Sequence, residues 1–156
     1  MNQQTYFISQ ITESDDGVNA LLARHHADMR AGSPEESCHV MTGDELRAAG
    51  AQVFALRDGD GQVQSIGALK PFGQAVELKS MHTAREARGL GYGRKMLTHL
   101  LQAAKDQGAQ SAWLETGSQE AFAPARSLYH SAGFEVCPPF GEYVEDPLST
   151  FMTKML

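Results

Sequence analysis

The sequence predicts an α+β fold of mixed α/β character, in which about four helices flank one mostly antiparallel, twisted sheet of six to seven strands. Three observations support this prediction. The 156 residues fit one domain, residues 1–156, better than two. Three strand-like segments in the middle of the chain are joined by connections too short for a helix, which favours antiparallel hairpins. Beyond residue 88, apolar residues at helical spacing alternate with short strand-like segments.

The first third of the chain is predicted to contain one strand and two helices, and capping residues indicate where the helices begin. Ser14 or Asp15 can cap the first helix, and the Gly-Ser-Pro run at 32–34 ends it. Thr42 and Glu45 have capping-box spacing at the start of the second helix. The three elements are a strand at Thr5–Ile11, rich in β-branched and aromatic residues, a helix to about Arg30, and a helix over Gly43–Ala49.

The middle of the chain is predicted to form an antiparallel meander. Asp58–Gly61 has the sequence DGDG, which is a strong hairpin signal, and Pro71–Gly73 indicates a second turn. The three strands joined by these turns are Gln52–Arg57, Gln62–Lys70 and Ala75–Thr83.

The last third of the chain is predicted to contain two helices and three strands. Apolar residues at helical spacing between Met96 and Ala104 indicate the first helix, and Gly108 ends it. The second helix has Pro124 in its first turn and Gly133 just after its end. The elements that follow the first helix are a strand at Ser111–Glu115, the helix at Ala123–Ala132, and strands at Phe134–Pro138 and Thr150–Met155.

The composition disfavours several classes of protein. A net charge of −6 argues against a nucleic-acid-binding protein, which would usually be basic. No apolar run approaches the ~18 residues of a membrane helix, and the first ten residues do not resemble a secretory signal, so we expect a cytoplasmic protein that does not enter a membrane. The histidines and cysteines lack metal-ligand spacing, so we expect no metal; Cys38 and Cys137 are expected to be free thiols.

A glycine-rich turn between a strand and a helix is the strongest functional signal in the chain. Gly89, Gly91 and Gly93 alternate along it, and glycines let the backbone approach a ligand because they have no Cβ. The helix that follows adds unpaired N–H groups and the positive end of its dipole, so the turn is predicted to bind an anion such as a pyrophosphate. The alternative is a turn that only reverses the chain. Four basic residues add positive charge nearby: Arg85, Arg88, Arg94 and Lys95.

Two other phosphate-binding motifs do not fit this turn. A dinucleotide fingerprint, GxGxxG, requires a third glycine where this chain has Arg94 in one register and Met96 in the other. A P-loop, GxxxxGK[ST], is absent from the sequence. If the turn binds a phosphate, it does so through neither of these two motifs.

The run Arg88-x-x-Gly91-x-Gly93 resembles the acyl-CoA pyrophosphate signature of the GNAT superfamily of N-acetyltransferases. The strand before it, the long helix after it and the later run Leu128–Phe134 (LYHSAGF) are also similar to that family, so the resemblance covers residues 50–156. Further segments resemble a bacterial subgroup named indole-3-acetic acid acetyltransferase-like. These segments are GALK at 67–70, ELKSM at 77–81, LETG at 114–117, FAPAR at 122–126 and the ending from Glu145 to Lys154.

The resemblance implies an enzyme that uses acetyl-CoA, needs no metal and releases coenzyme A. The acetyl group would pass directly to a primary amine of a small molecule or peptide in a ternary complex. The alternative is a non-catalytic acyl-CoA-binding sensor or regulatory module on the same fold, which would need the glycine turn but no catalytic acid or base. Homodimers are common among such folds, so a homodimer is a possible assembly.

The resemblance also implies where the cofactor binds. In the family, the strand before the glycine turn separates from the next strand, and the pantetheine arm of the cofactor enters between them. A bulge near the end of the first of these strands would present N–H groups to the thioester oxygen. The cofactor-binding residues implied in this way are Met81, His82, Thr83, Arg88, Gly89, Leu90, Gly91, Tyr92, Gly93, Arg94 and Lys95.

Tyr129 is the candidate general acid, because it matches the family tyrosine whose hydroxyl lies near the sulfur of CoA. The alternative for Tyr129 is a half-buried tyrosine that only packs locally. The chain departs from the family pattern at Phe122, seven residues earlier, where many members have asparagine. The cofactor contact of that asparagine must be supplied otherwise or be absent.

Glu77 and Glu115 are the candidate general bases. Each carboxyl lies in an otherwise apolar strand, where burial favours a proton-accepting role near neutral pH. The alternative is a salt bridge, for example between Glu77 and Lys79 on one strand face. His82 is a third candidate, since an unperturbed imidazole titrates in the right range.

The acceptor site is expected to border the segment between the first two helices. Glu36, Ser37 and His39 could contact a polar acceptor there. A solvated loop is the alternative for the same segment.

Overall fold

The computed structural model describes residues 5–32 and 42–156, and within these ranges it contains one seven-stranded sheet and four α-helices. The predicted α+β class is therefore confirmed. The strands are β1 (Tyr6–Ile11), β2 (Gln52–Asp58), β3 (Val63–Phe72), β4 (Ala75–Thr83), β5 (Ser111–Gly117), β6 (Glu135–Cys137) and β7 (Ser149–Met155). The helices are α1 (Asp16–Gly32), α2 (Gly43–Ala48), α3 (Tyr92–Asp106) and α4 (Ala123–Ser131).

The strands lie in the order β1-β2-β3-β4-β5-β7-β6. All neighbouring strands pair antiparallel except β4 and β5, which are parallel and are connected through α3. The predicted meander of β2, β3 and β4 is present. Among the described residues, no helix is long and apolar enough to cross a membrane.

Side-chain caps fix the amino ends of the first two helices. The Asp15 carboxylate accepts a hydrogen bond from the Val18 backbone N–H at 3.0 Å, so Asp15, rather than Ser14, caps α1. Thr42 and Glu45 form the predicted capping box of α2.

Every strand except β4 differs from its predicted bounds by one or two residues, and local hydrogen bonding explains the differences at β3 and β6. β3 continues through Pro71, which pairs with Val76 of β4. Since β2 pairs with β3 only as far as Leu69, no strand faces the missing N–H of Pro71. β6 begins at Glu135 because the Phe134 N–H donates to the Tyr129 carbonyl and thus closes the end of α4.

Helices α1 and α3 lie on opposite faces of the sheet. A Cβ placed on Gly67 of β3 would be 2.7 Å from the side chain of Leu100 in α3, so this glycine allows the helix to pack closely. The preceding residue, Ile66, points to the other face because side chains alternate along a strand. Its cross-strand partner is His82, whose ring contacts the ring of His25 in α1. We call these two sides the α3 face and the α1 face.

Apolar side chains fill the space between the sheet and each helix. The inward side of α3 is fully buried and forms the centre of the core with β3 and β4. On the other side, the buried residues of α1 pack on the same strands. Burial of this kind stabilises the fold by about 25 cal/mol for each Å² of apolar surface removed from water. The buried residues of the two helices are Met96, Leu97, Leu100 and Ala104 of α3, and Val18, Leu21 and Leu22 of α1.

Candidate active site

The parallel strands β4 and β5 separate near their carboxyl ends. Their pairing ends at Leu78 and Leu114, although β4 continues to Thr83 and β5 to Gly117. A cavity of about 700 Å³ lies at this separation, and its walls include residues of both strands, the glycine turn and α4. The gap between strands that the family resemblance implies is thus a feature of this chain.

A β-bulge shapes the β4 side of the gap. Ser80 and Met81 together face the single residue Gly67 of β3, and Ser80 has a positive φ of 55°. Such a bulge bends its strand and removes backbone groups from the ladder. The Ser65 hydroxyl holds the chain beyond the bulge, since it lies 3.3 Å from the His82 carbonyl oxygen and 3.1 Å from the Thr83 hydroxyl.

The glycine turn adopts the conformation for which glycine is required. Gly89 and Gly91 have φ values of 85° and 84°, in the left-handed region that other residues rarely occupy. Among the described residues, a Cβ on Gly89 would meet nothing within 4 Å, and one on Gly91 would meet only the Lys95 ammonium at 3.9 Å. No side chain from residues 5–32 or 42–156 caps the amino end of α3, which follows Gly91. Its backbone N–H groups can therefore bind an anion in the cavity.

Most of the residues predicted to bind the cofactor line this cavity. They are Met81, His82, Thr83, Arg88, Gly89, Gly91, Tyr92, Gly93 and Arg94, and Arg85 lines it as well. Two predicted residues, Leu90 and Lys95, are not part of the cavity wall. The Leu90 side chain is exposed. The Lys95 ammonium lies beside Gly91, over the face of the Tyr6 ring and 5.2 Å from its centre, so it adds to the positive charge that the arginines supply at the turn.

Tyr129 reaches the cavity from α4. It is buried and packs edge-on against Phe134, with the ring centres 5.9 Å apart. None of the hydrogen bonds found in the described part of the chain involves its hydroxyl. Burial raises the pKa of the Tyr129 hydroxyl well above its ordinary value, so the group keeps its proton at neutral pH.

The region around Phe122 shows how α4 is attached to β5. The Phe122 ring packs so closely on Gly117 that a Cβ there would lie 2.2 Å from it. The Arg126 guanidinium donates hydrogen bonds to the carbonyls of Gly117 and Gln119, at 2.7 and 2.9 Å. A phenyl ring therefore lines the cavity where many family members have asparagine, and Arg126 ties the helix to the strand.

Glu77 lies on the α1 face of β4 and is 8% exposed. The Tyr143 hydroxyl donates a hydrogen bond to Glu77 Oε2 at 2.5 Å. The Lys79 ammonium lies 3.5 Å from the same oxygen, so the ion pair considered in the sequence analysis is present. Glu77 thus has two partners, one of which comes from 66 residues further along the chain.

Glu115 lies on β5, across the gap from β4. Trp113 is the cross-strand partner of Glu77, so Glu115, two residues further along, also points to the α1 face. The Ser149 hydroxyl donates a hydrogen bond to Glu115 Oε2 at 2.6 Å. Both predicted carboxylates therefore lie in the cavity wall on the face opposite the glycine turn.

His82 forms a pair with His25 of α1. Their Nδ1 atoms are 3.2 Å apart, so one ring donates and the other accepts. Both rings line the cavity on the α1 face. The candidate acceptor residues Glu36, Ser37 and His39 lie outside the described residues.

Two of the polar residues in the cavity wall that the sequence analysis did not assign to the site are His25 and Tyr143. His25 lies in α1, and Tyr143 lies in the connection between β6 and β7. An aromatic residue in the polar run Gly141–Asp146 was the only sequence signal for Tyr143. Nothing in the local sequence connects it with Glu77.

The chain matches the sequence model of the acetyltransferase (GNAT) family over residues 18–134. It belongs to this family, and both the resemblance and the expectation of an acyltransferase enzyme are confirmed. One relative is an uncharacterized N-acetyltransferase of Bacillus subtilis strain 168, which is 39% identical over 140 residues, or 89% of this chain and 92% of the relative. An indole-3-acetic acid (IAA) acetyltransferase of Azospirillum brasilense is 35% identical over 125 residues, or 79% of this chain and 80% of the relative.

Solved structures share the fold. A Klebsiella pneumoniae protein assigned as an acyl-CoA N-acyltransferase superimposes with a TM-score of 0.80 at 26% identity, covering 97% of each chain. A Bacillus subtilis acetyltransferase, crystallised in complex with CoA, has a TM-score of 0.72 at 17% identity and covers 97% of this chain and 99% of its own.

Proposed function

We propose that this chain transfers the acetyl group of acetyl-CoA directly to a primary amine of a small molecule or peptide, in a ternary complex. The observation that carries the proposal is the gap between β4 and β5. It joins the glycine turn on the α3 face to two carboxylates on the α1 face, the buried Glu77 and the partly buried Glu115, within one cavity. Such a cavity can hold donor and acceptor together, so transfer needs no covalent enzyme intermediate.

The residues of the α3 face fit acetyl-CoA. The open Cβ positions of Gly89 and Gly91 leave room for a pyrophosphate, and Arg88 and Arg94 supply positive charge. Backbone groups from Met81 to Thr83, next to the bulge, are suited to the pantetheine arm. The fold of a CoA-bound Bacillus subtilis acetyltransferase supports this assignment. When bound, acetyl-CoA supplies the acetyl group as a thioester and leaves as the free thiol.

The proton transfers are assigned to Glu77 and Tyr129. An amine near pH 7 is mostly an ammonium ion and has no lone pair to offer, so the Glu77 carboxylate accepts one proton from it. Tyr129 holds a proton that it donates to the departing sulfur. As the amide forms, the second proton of the nitrogen restores the tyrosine hydroxyl, and the proton on Glu77 leaves to solvent. An ammonium and a thioester thus become an amide, a thiol and one released proton. Glu115 is the second candidate for the base.

An acetylation assay over a panel of amines tests this proposal. The panel contains amino acids, aryl and alkyl amines, and peptides with a free amino terminus or a lysine, and release of CoA is measured. We expect acetyl-CoA to stabilise the protein in a thermal-shift assay and at least one amine to accelerate CoA release. Stabilisation without turnover on any amine would indicate a non-catalytic binder. A response to NAD or ATP but not to acetyl-CoA would contradict the proposal entirely.

A further inference from the structure

We propose that Tyr143 is a positioning residue that orients the Glu77 carboxylate for proton transfer. This inference rests on the proposed function, in which Glu77 is the base. It assigns a role to the connection between β6 and β7, residues 138–148, which places the Tyr143 hydroxyl in the gap.

Two polar groups contact one oxygen of Glu77 and also lie within reach of each other. Tyr143 donates to Oε2 at 2.5 Å, the Lys79 ammonium lies 3.5 Å from Oε2, and the same ammonium lies 3.4 Å from the Tyr143 hydroxyl. In the described part of the chain, the other oxygen, Oε1, takes no part in these contacts. The carboxylate is therefore held through Oε2, and Oε1 is the oxygen we assign to the amine.

Aromatic packing fixes the Tyr143 ring. Phe140 and Phe151 lie 5.1 and 5.5 Å from it, measured between ring centres. Phe140 in turn contacts Trp113 of β5 at 5.4 Å and Phe72 at the end of β3 at 6.0 Å. These five rings form an aromatic cluster that attaches the connection to the sheet. Because these rings restrict the Tyr143 side chain, its hydroxyl is held in place beside Glu77.

Tyrosine chemistry suits this role. Burial, the hydrogen bond to Glu77 and the negative charges of Glu77 and Glu115 raise the pKa of the Tyr143 hydroxyl far above its ordinary value. The phenol therefore remains a donor throughout the pH range in which carboxylates ionise. The other titratable groups that face this region are Lys79 on β4, Glu115 on β5 and the His25–His82 pair at the α1 side of the cavity.

The first test is a pH titration of the free protein. It is monitored by NMR of glutamate side chains labelled with ¹³C at the carboxyl carbon. The Glu77 signal is identified by its loss in Glu77→Gln. In Tyr143→Phe, which keeps the ring and its packing, we expect Glu77 to titrate at higher pH than in the wild type, because its charged form has lost a hydrogen bond. Tyr6→Phe, at an exposed tyrosine outside the gap, is the matched control and should leave the titration unchanged.

The second test is kinetic and uses an amine that the wild type acetylates. Tyr143→Phe should lower kcat/KM at pH 7 by about 10-fold or more, the usual effect of losing a hydrogen bond to a charged group. The acidic limb of its pH profile should move to higher pH, while the KM for acetyl-CoA stays the same. In a Glu77→Gln background, Tyr143→Phe should cause little further loss, since the two residues act through one group.

The outcomes separate this inference from the proposed function. An unchanged Glu77 titration in Tyr143→Phe overturns the inference, whether or not an acceptor has been found. Full additivity of the two substitutions also overturns it and leaves Glu77 as base. A Glu77→Gln enzyme with wild-type rates removes Glu77 as base and the inference with it, while acetyl transfer by the wild type still stands.

Discussion

The α3 face and the α1 face meet at the gap between β4 and β5, but they are built from different parts of the chain. On the α3 face, the glycine turn and the amino end of α3 offer backbone groups within a few consecutive residues. On the α1 face, Glu77, Tyr143 and Glu115 come from three segments far apart in sequence. The first arrangement depends on backbone conformation, and we propose that it recognises the part shared by all acyl-CoA molecules. The second depends on individual side-chain atoms, which can differ between enzymes with different acceptors.

The largest effect is expected at Tyr129, the proposed general acid, which reaches the cavity from α4. Tyr129→Phe removes one hydroxyl and keeps the buried ring, so the packing against Phe134 should persist. A general acid contributes a factor of about 10² to 10⁴, and we expect kcat to fall by that amount. Calorimetry should give near-normal acetyl-CoA affinity. An unaltered kcat, with chemistry shown to be rate-limiting, would remove Tyr129 from the mechanism.

Gly91→Glu tests whether the α3 face is a backbone-built anion site. The new carboxylate would lie at the amino end of α3, where the pyrophosphate is expected, and like charges in contact cost several kcal/mol. We expect acetyl-CoA affinity to fall by about 10² or more. Gly108→Glu is the matched control, because Gly108 has the same φ of 84° and lies just beyond the other end of α3. Equal affinities for the two variants would mean that the phosphate site lies elsewhere.

Glu77→Gln and Glu115→Gln compare the contributions of the two carboxylates of the α1 face to proton transfer. We expect Glu77→Gln to lower kcat/KM at pH 7 by about 10- to 100-fold, at the low end of a general base's contribution, and Glu115→Gln to lower it less. Activity of Glu77→Gln should partly recover at higher pH, because the amine is then already neutral when it binds. The measurement is a kcat/KM profile from pH 6 to 9, and the exposed Glu135→Gln serves as control. Wild-type profiles for both variants would leave His82, a water chain or direct capture of neutral amine as the remaining explanations.

The smallest expected effect lies outside the gap, at the start of the helix that carries His25. Burial disfavours the charged form of Asp15, but the Val18 N–H and the Arg57 guanidinium outweigh this and hold its pKa below the ordinary value. A lowered pKa means stability that is present above the unfolded-state pKa near 3.9 and is lost as the pH falls through the folded-state pKa. Asp15→Ala should cost about 1 kcal/mol at pH 7 through loss of the cap.

Asp15→Asn is the companion variant, because asparagine can cap a helix but cannot form the ion pair with Arg57. Urea denaturation at several pH values should show the wild type more stable than Asp15→Asn at pH 7, with the difference vanishing at strongly acidic pH. Acetyl-CoA affinity should be the same for both. A stability difference that does not change with pH would show that the ion pair contributes nothing.

The features that sequence analysis predicted are those with a local cause. The turn at Gly89 and Gly91 could be predicted because a left-handed backbone favours glycine. The capping box of Thr42 and Glu45 could be predicted because it joins residues three apart. The fold class followed from hairpin signals and helical spacing for the same reason. The predicted start of β6 was wrong because a neighbouring element intervened. The Phe134 N–H donates a hydrogen bond to a carbonyl at the end of α4, so the strand begins one residue later.

The features that the sequence did not reveal depend on long-range contacts. Tyr143 meets Glu77 across 66 residues, and His25 meets His82 across 57. The spacing of these residues along the chain carries no information about the contacts, which exist because strand order and register bring the segments together. The sequence identified Glu77 as a candidate base from its apolar surroundings, but its partner could be found only in the fold.

The position of β7 between β5 and β6 has a consequence for how the protein is synthesised. Within the described part of the chain, β6 pairs with β7 alone, so residues 135–137 find that partner once residues 149–155 have been made. A nascent chain that extends to residue 117 already contains the meander, the glycine turn, Glu77 and Glu115, but neither Tyr129 nor Tyr143. Because synthesis begins at the amino end, we expect the proposed base to be present before the proposed acid and before the hydroxyl that orients the base.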